Sequence, residues 1–312
     1  MNQGIFGFPT GSSNTIISTT EIDVSGTYLI ALGTKTLIIF AIGAGSGGGA
    51  GGRRASAVAQ SGGGGGHQGA IVIQSFNVED LGGVNTTLSL IIGAGSAGGI
   101  GLGTSNASGQ QSAGTAGTTT ITQTGKPGIL ISCLGGQPGG GGSTSAPVNN
   151  GVRTGFVNGM LATNVYATNT AFGAGASVTV LNMRYSCGAQ GGGLGSILVD
   201  GILPSTRGGD ITSGTSASTA VGNPNFASTV YTGGTVNAPA STPINSRDQV
   251  QGKMSPGYGG AGGGSGVTEN GQNGGNGYRG SGGGGGGSTL NGFTSGSGGA
   301  GGNGYVCIVA LA

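Results

Sequence analysis

Two stretches, GAGSGG at 43–48 and GAGSAG at 93–98, carry the G-x-G-x-x-G spacing that lets a backbone close on a dinucleotide pyrophosphate. That chemistry also needs a helix N-terminus after the glycines and an acidic residue about 20 positions further on. Neither stretch is followed by a helical pattern or a suitably placed acid. A chain with 80 glycines in 312 residues produces such spacings by chance, so no cofactor is expected. Other reactive groups are sparse. His67, in GGGGGHQG, is the one histidine and has no Cys or Asp beside it, whereas zinc ligands come as Cys/His sets. It reads as a structural or surface residue. Lys126 sits in the turn TGKPG, and neither a Walker loop nor a G-x-S-x-G elbow occurs.

A glycosidase needs two carboxylates facing a cleft. The eight acids are scattered; Glu79-Asp80 lies at a turn, and nothing singles out Asp200 and Asp210 for such a role. Non-enzymatic function is the expectation. Arg53-Arg54 is the only basic dipeptide, and a net charge of +2 is too weak a field for a nucleic-acid stripe. The pair reads as a solvated turn or as an ion pair across subunits. Cys133, Cys187 and Cys307 are too few and scattered for a disulfide framework. Cys133 and Cys307 lie in apolar runs, where a buried thiol is the ordinary outcome.

What must position any site is a set of short strands separated by glycine. Strand candidates are 26–32, 35–43, 69–78, 87–93, 118–123, 129–134 and 305–311, rich in Ile, Val and Leu. Gly33-Thr34 reads as a tight turn between the first two. Glycine tracts follow at 43–52, 62–66, 259–266 and 280–287. IGAGS recurs at 42–46 and 92–96, and GNGY at 275–278 and 302–305, so strand-then-tract is a repeated unit. With 6% charged residues and many β-branched ones, the chain departs from disordered composition. Each glycine costs about 0.5–1 kcal/mol more than alanine to order. So much of it demands dense backbone hydrogen bonding, close packing and an oligomer. Glycine can adopt the three-residue turn of polyproline II, and such helices could pack side by side. The fold class expected is all-β, with short strands, polyglycine-II-like tracts and a polar, loop-rich β insertion at 144–256. No secretory signal is evident at the N-terminus, and the longest apolar run falls far short of a membrane span. A soluble protein made in a reducing cytoplasm, with no membrane insertion, is the reading.

The succession GTYLIALGTKTLIIFAIGAGSGGGAGG, GAIVIQSFNV with TLSLIIGAGSAGG, TTTITQTGKPGILISCLGGQPGGGG, and the closing GGAGGNGYVCIVALA resembles the glycine-rich domain of bacteriophage tail fibres and tail-tip adhesins. The resemblance covers about 26–143 and 257–312. It implies a virion protein displayed on the particle exterior, a homotrimer, and recognition of a bacterial surface receptor, either a glycan or an outer-membrane protein. Residues 1–25 would be an arm attaching to other virion proteins. The insertion would form exposed loops carrying the receptor site, or else would pack on a neighbour in the particle. Aromatic residues and arginines dominate binding hot spots. The candidates are Tyr166, Tyr185, Tyr231, Arg153, Arg184 and Arg207 in the insertion, with Tyr258 and Tyr278 in glycine-rich loops. A purely structural role, as a capsid decoration or head fibre, is the alternative.

Overall fold

The computed structural model describes residues 15–55, 61–103, 105–126, 128–142, 254, 257, 259–266 and 269–312, with the backbone of four short strands inside 155–213. The described residues contain no helix. In chain order the strands are β1 (Ile16–Ile22), β2 (Gly26–Leu29), β3 (Thr36–Ile42), β4 (Arg53–Arg54), β5 (Ile71–Asn77), β6 (Thr87–Ile91), β7 (Thr119–Gln123) and β8 (Ile129–Cys133). Then follow β9 (Gly155–Val157), β10 (Met160–Ala162), β11 (Val178–Val180), β12 (Ile211–Ser213), β13 (Thr289–Leu290) and β14 (Tyr305–Leu311). The described part of the chain is all-β.

Two antiparallel four-stranded sheets, β1-β14-β3-β5 and β2-β6-β7-β8, face each other. Leu37, Ile39 and Ala41 of β3, with Val306, Ile308 and Ala310 of β14, pack on Tyr28, Leu88, Leu90, Ile121, Ile131 and Cys133. The first sheet is covered on its other face too, where Phe40, Ile42, Ile71, Tyr305 and Cys307 form a second cluster with Met254. Burial on both faces explains why LIIFAI and VCIVAL read as continuous apolar runs. Both Cys133 and Cys307 are buried free thiols, while Cys187 lies outside the described residues.

Two expected strand pairs are not pairs. The turn at Gly33 exists, with φ at 83° there and Thr34 N–H donating to Ala31 O at 3.3 Å. It carries the chain from one sheet to the other: β2 pairs with β6, and β3 with β14 and β5. Strands β5 and β6 are divided between the sheets in the same way. Only β7 and β8 form the expected hairpin. Strand β1, inside the stretch expected to be an attachment arm, is paired along its length with β14.

Among the described residues, nine tracts connect these strands to one another or to loops, at 43–52, 61–70, 93–103, 107–117, 134–142, 259–266 (with Gly257 ahead of it), 269–278, 280–288 and 294–304. The first is hydrogen-bonded to six neighbours. Gly43, Ser46, Gly49 and Gly52 donate to Ala70, His67, Gly64 and Ser61 of the second tract. Gly45, Gly48 and Gly51 donate to Gly302, Gly299 and Gly296 of the ninth, while Ala44, Ala50 and Arg53 donate to Gly117, Gln110 and Ala107 of the fourth. Its carbonyls accept from the third tract (Ser96, Gly99), the fifth (Gly136, Gly139, Gly142) and the eighth (Gly283, Gly286, Thr289). Every third residue therefore faces the same neighbour. The glycines are there for room: none in the first, fifth or ninth tract has a positive φ. A Cβ on Gly48, Gly49 or Gly51 would stand 2.0–2.1 Å from a neighbouring carbonyl oxygen, inside any tolerable contact. Both G-x-G-x-x-G stretches belong to these tracts.

Asparagines extend the pattern. Asn270, Asn273 and Asn276, three apart, accept through Oδ1 from the N–H groups of Thr294, Ser297 and Ala300, also three apart, at 2.8–2.9 Å. Here side-chain amides stand in for a missing neighbouring tract on the bundle surface.

Candidate functional site

All tracts run between one end joined to the sandwich and another that carries loops. Gly43, Gly93 and Leu134 follow strands β3, β6 and β8, and the second, fourth and ninth tracts lead back into β5, β7 and β14. At the opposite end lie β4, the turn at 105–107, Glu269 with Asn270, and 289–293. These segments are tied to each other. β4 pairs in parallel with β13, Arg53 bridges to Ala107, and Thr289 Oγ1 donates to the carbonyls of Gly266 and Glu269 at 3.1 and 3.0 Å. Arg54 Nη1 donates to the carbonyl of Asn106 at 2.6 Å. Asn106, at a φ of 55°, accepts through Oδ1 from Ala55 N–H and from Asn291 Nδ2, and its own N–H donates to Asn291 Oδ1. Left-handed backbone is tolerated by Asn better than by most residues, and the side-chain bonds hold it here. Four segments thus form one hydrogen-bonded face built of amide, hydroxyl and guanidinium groups.

Arg53-Arg54 is not a solvated turn. Arg53 is 6% exposed, because the strand it sits in continues the central tract and has neighbours on several sides. Nor is His67 on the surface. It is buried between tracts, with Nδ1 3.0 Å from the carbonyl of Gln137, which places a proton on that nitrogen as donor.

Of the expected recognition residues, Tyr166, Tyr185, Tyr231, Arg153, Arg184, Arg207 and Tyr258 lie outside the described residues. Tyr278 belongs to the sandwich end, away from the loop face, and is half-buried. The two GNGY repeats meet there: Tyr278 and Tyr305 flank the guanidinium of Arg279, whose Cζ is 5.5 Å and 3.9 Å from their ring centroids. Glu21 completes the cluster, accepting from Arg279 Nη2 at 2.6 Å and from the Tyr305 hydroxyl at 3.0 Å. Burial pushes the Tyr305 phenol far above its ordinary range, against the opposing pull of Arg279. Burial alone would lower Arg279, but Tyr305 and Glu21 outweigh it and hold its pKa above the usual value. This is a structural clasp joining β1 to the bundle, with Tyr278 at its edge.

The described residues that flank the insertion lie at opposite ends of the bundle. Gly142 sits beside Ala50 and Gly109 near the loop end, and Gly257 N–H donates to Arg279 O at the sandwich end. The two are about a full tract apart, roughly 30 Å for ten residues at three residues per turn. Strand β9 lies against β5 of the sandwich.

Sequence reasoning overlooks Asn106 and Asn291, whose signal is an asparagine at each of two tract ends. Among the described residues no group of His, Cys, Asp or Glu is arranged to hold a metal. No described helix is long and apolar enough to cross a membrane. No family model matches the chain, and no curated protein does.

Proposed function

We propose that this chain is a non-enzymatic virion adhesin of tail-fibre or tail-tip type, in which the nine tracts form a polyglycine-II-like bundle that holds a receptor-binding face. The observation that carries the reading is the return of the described loops to one end of a scaffold held by backbone hydrogen bonds. A lattice of this kind leaves much of the loop sequence free to vary, because most of the scaffold's bonds run between tract backbones. Rigid presentation also lowers the ordering cost of binding. The receptor would be a bacterial surface glycan or outer-membrane protein. The loop face is the first candidate surface, and the insertion, whose flanking residues Gly142 and Gly257 lie at opposite ends of the bundle, is the second. Attachment to other virion proteins and a homotrimeric state follow from the resemblance to tail fibres.

The test is binding of the purified protein to host cells. Intact protein should bind, and a variant with residues 289–293 and 105–107 replaced by serine-glycine turns should fold and bind at least tenfold more weakly. If neither protein binds while both assemble into particles, the chain is scaffolding and the adhesin reading fails.

A further inference from the structure

Arg53 is the most deeply buried charged side chain described on the loop face. It is nine-tenths buried and its Nε has no acceptor. Among the described residues it forms no ion pair, and the described ion pair of the molecule joins Arg279 to Glu21 instead. A guanidinium cannot shed its charge at any relevant pH, and a buried charge without a partner is costly unless something neutralises it. The only acid among the described residues of these loops, Glu269, is exposed and makes no bond to Arg53. A second guanidinium, that of Arg54, follows immediately and is fixed by Asn106. Beside Arg54 stand the neutral amides of Asn106 and Asn291, already cross-bonded and set in place.

A cation fixed in place with its Nε buried and unbonded, and with no acid bonded to it among the described residues, is an arrangement that can receive an anion. We infer that the loop face binds an anionic oxygen group, carboxylate or phosphate, at Arg53, of the kind that acidic surface saccharides carry. Arginine suits this because its planar fork meets carboxylate and phosphate oxygens in pairs. The inference rests on the loop face being the recognition surface, and it names the chemistry recognised there.

The test uses the full chain, with thermal shift and titration calorimetry at low ionic strength. Glucuronate and glucose 6-phosphate are compared with neutral glucose, and inorganic phosphate alone distinguishes a site for the bare anion from one for the charged sugar. Both charged sugars should raise the melting temperature of the wild type by several degrees at saturating concentration, since a ligand that binds only the native state stabilises it. Glucose should do nothing. Arg53→Met should abolish the shift, while Arg53→Lys should keep a weakened one. Without ligand, Arg53→Met should melt no lower than wild type, because an unpaired buried charge has been removed. If Arg53→Met melts well below wild type and its anion response is unchanged, Arg53 is merely structural and the inference is overturned. It is equally overturned if none of the anions shifts the wild type. Cell binding is read separately on the wild type: cell attachment without any anion response overturns this inference and leaves the adhesin reading standing, whereas an anion response without cell attachment sinks the adhesin reading alone.

Discussion

A Cβ built on Gly45 would lie 1.9 Å from the carbonyl oxygen of Ser281. The clash is with backbone of the eighth tract, and that backbone is itself bonded to its neighbours, so it has nowhere to move. Gly45→Ala should cost at least about 3 kcal/mol, the upper part of the range for overpacking, and lower the melting temperature by many degrees. Gly103→Ala is the matched control. Nothing lies within 4 Å of its Cβ position and its φ is not left-handed. That change should be neutral or stabilise by roughly 0.4–1 kcal/mol through the unfolded chain.

The clasp at Arg279 should behave as a unit. Arg279→Met removes the ion pair with Glu21 and the stacking on Tyr305 together, and leaves a carboxylate about one-third exposed. The expected loss is about 2–3 kcal/mol, below that of a fully buried pair because of that exposure. Glu21→Gln should cost less. A double-mutant cycle by denaturant unfolding should show the two changes to be strongly non-additive.

Stability should fall on the alkaline side. Burial pushes the Cys133 thiol up from 9.0 to about 12, partly offset by a backbone hydrogen bond from Val72. Between those two values the unfolded thiol has lost its proton and the folded one has kept it, so the unfolded state binds fewer protons and stability declines as pH rises. Below pH 9 the contribution is complete. Melting temperatures at about pH 8 and pH 10.5 should differ more for wild type than for Cys133→Ala, even though the variant starts lower because of the cavity it leaves.

Loop pinning can be read site by site. Asn291→Ala deletes the bonds to both the N–H and the Oδ1 of Asn106. Global stability should drop by only about 1 kcal/mol, since these are exposed bonds. Hydrogen exchange should accelerate at Asn106 and Ala55 while Gly45 and Gly48 stay protected. Uniform acceleration across the tracts would show that the loops and the lattice open together, contrary to the expected independence.

The β7–β8 hairpin is legible in sequence because its pairing is local and its turn, TGKPG, is explicit. The assignment of β2 and β3 to different sheets is not, because it depends on which distant strands meet to bury Tyr28, Ile39 and Leu88. Strand β1 is hidden by its threonines and serine, which read as loop until β14 supplies a partner. The buried state of Arg53 is invisible for a different reason: hydropathy describes the side chain, whereas its burial comes from distant segments, such as those of Ala107 and Thr289, meeting beside it. The triplet spacing of Asn270, Asn273 and Asn276 is the sequence's own statement of the bundle period.

That period acts as a reading frame. Deleting one residue from a tract would turn every following residue to a different neighbour, so an N–H that met one tract's carbonyl would meet another's side. Deleting three would slide the tract by one turn, about 9 Å, and restore each facing. Length changes within the tracts are therefore tolerated in threes, whereas the loops beyond the paired Arg54 and Leu290 carry no such constraint. The molecule separates a part that can vary only by quantised steps from a part that can vary one residue at a time.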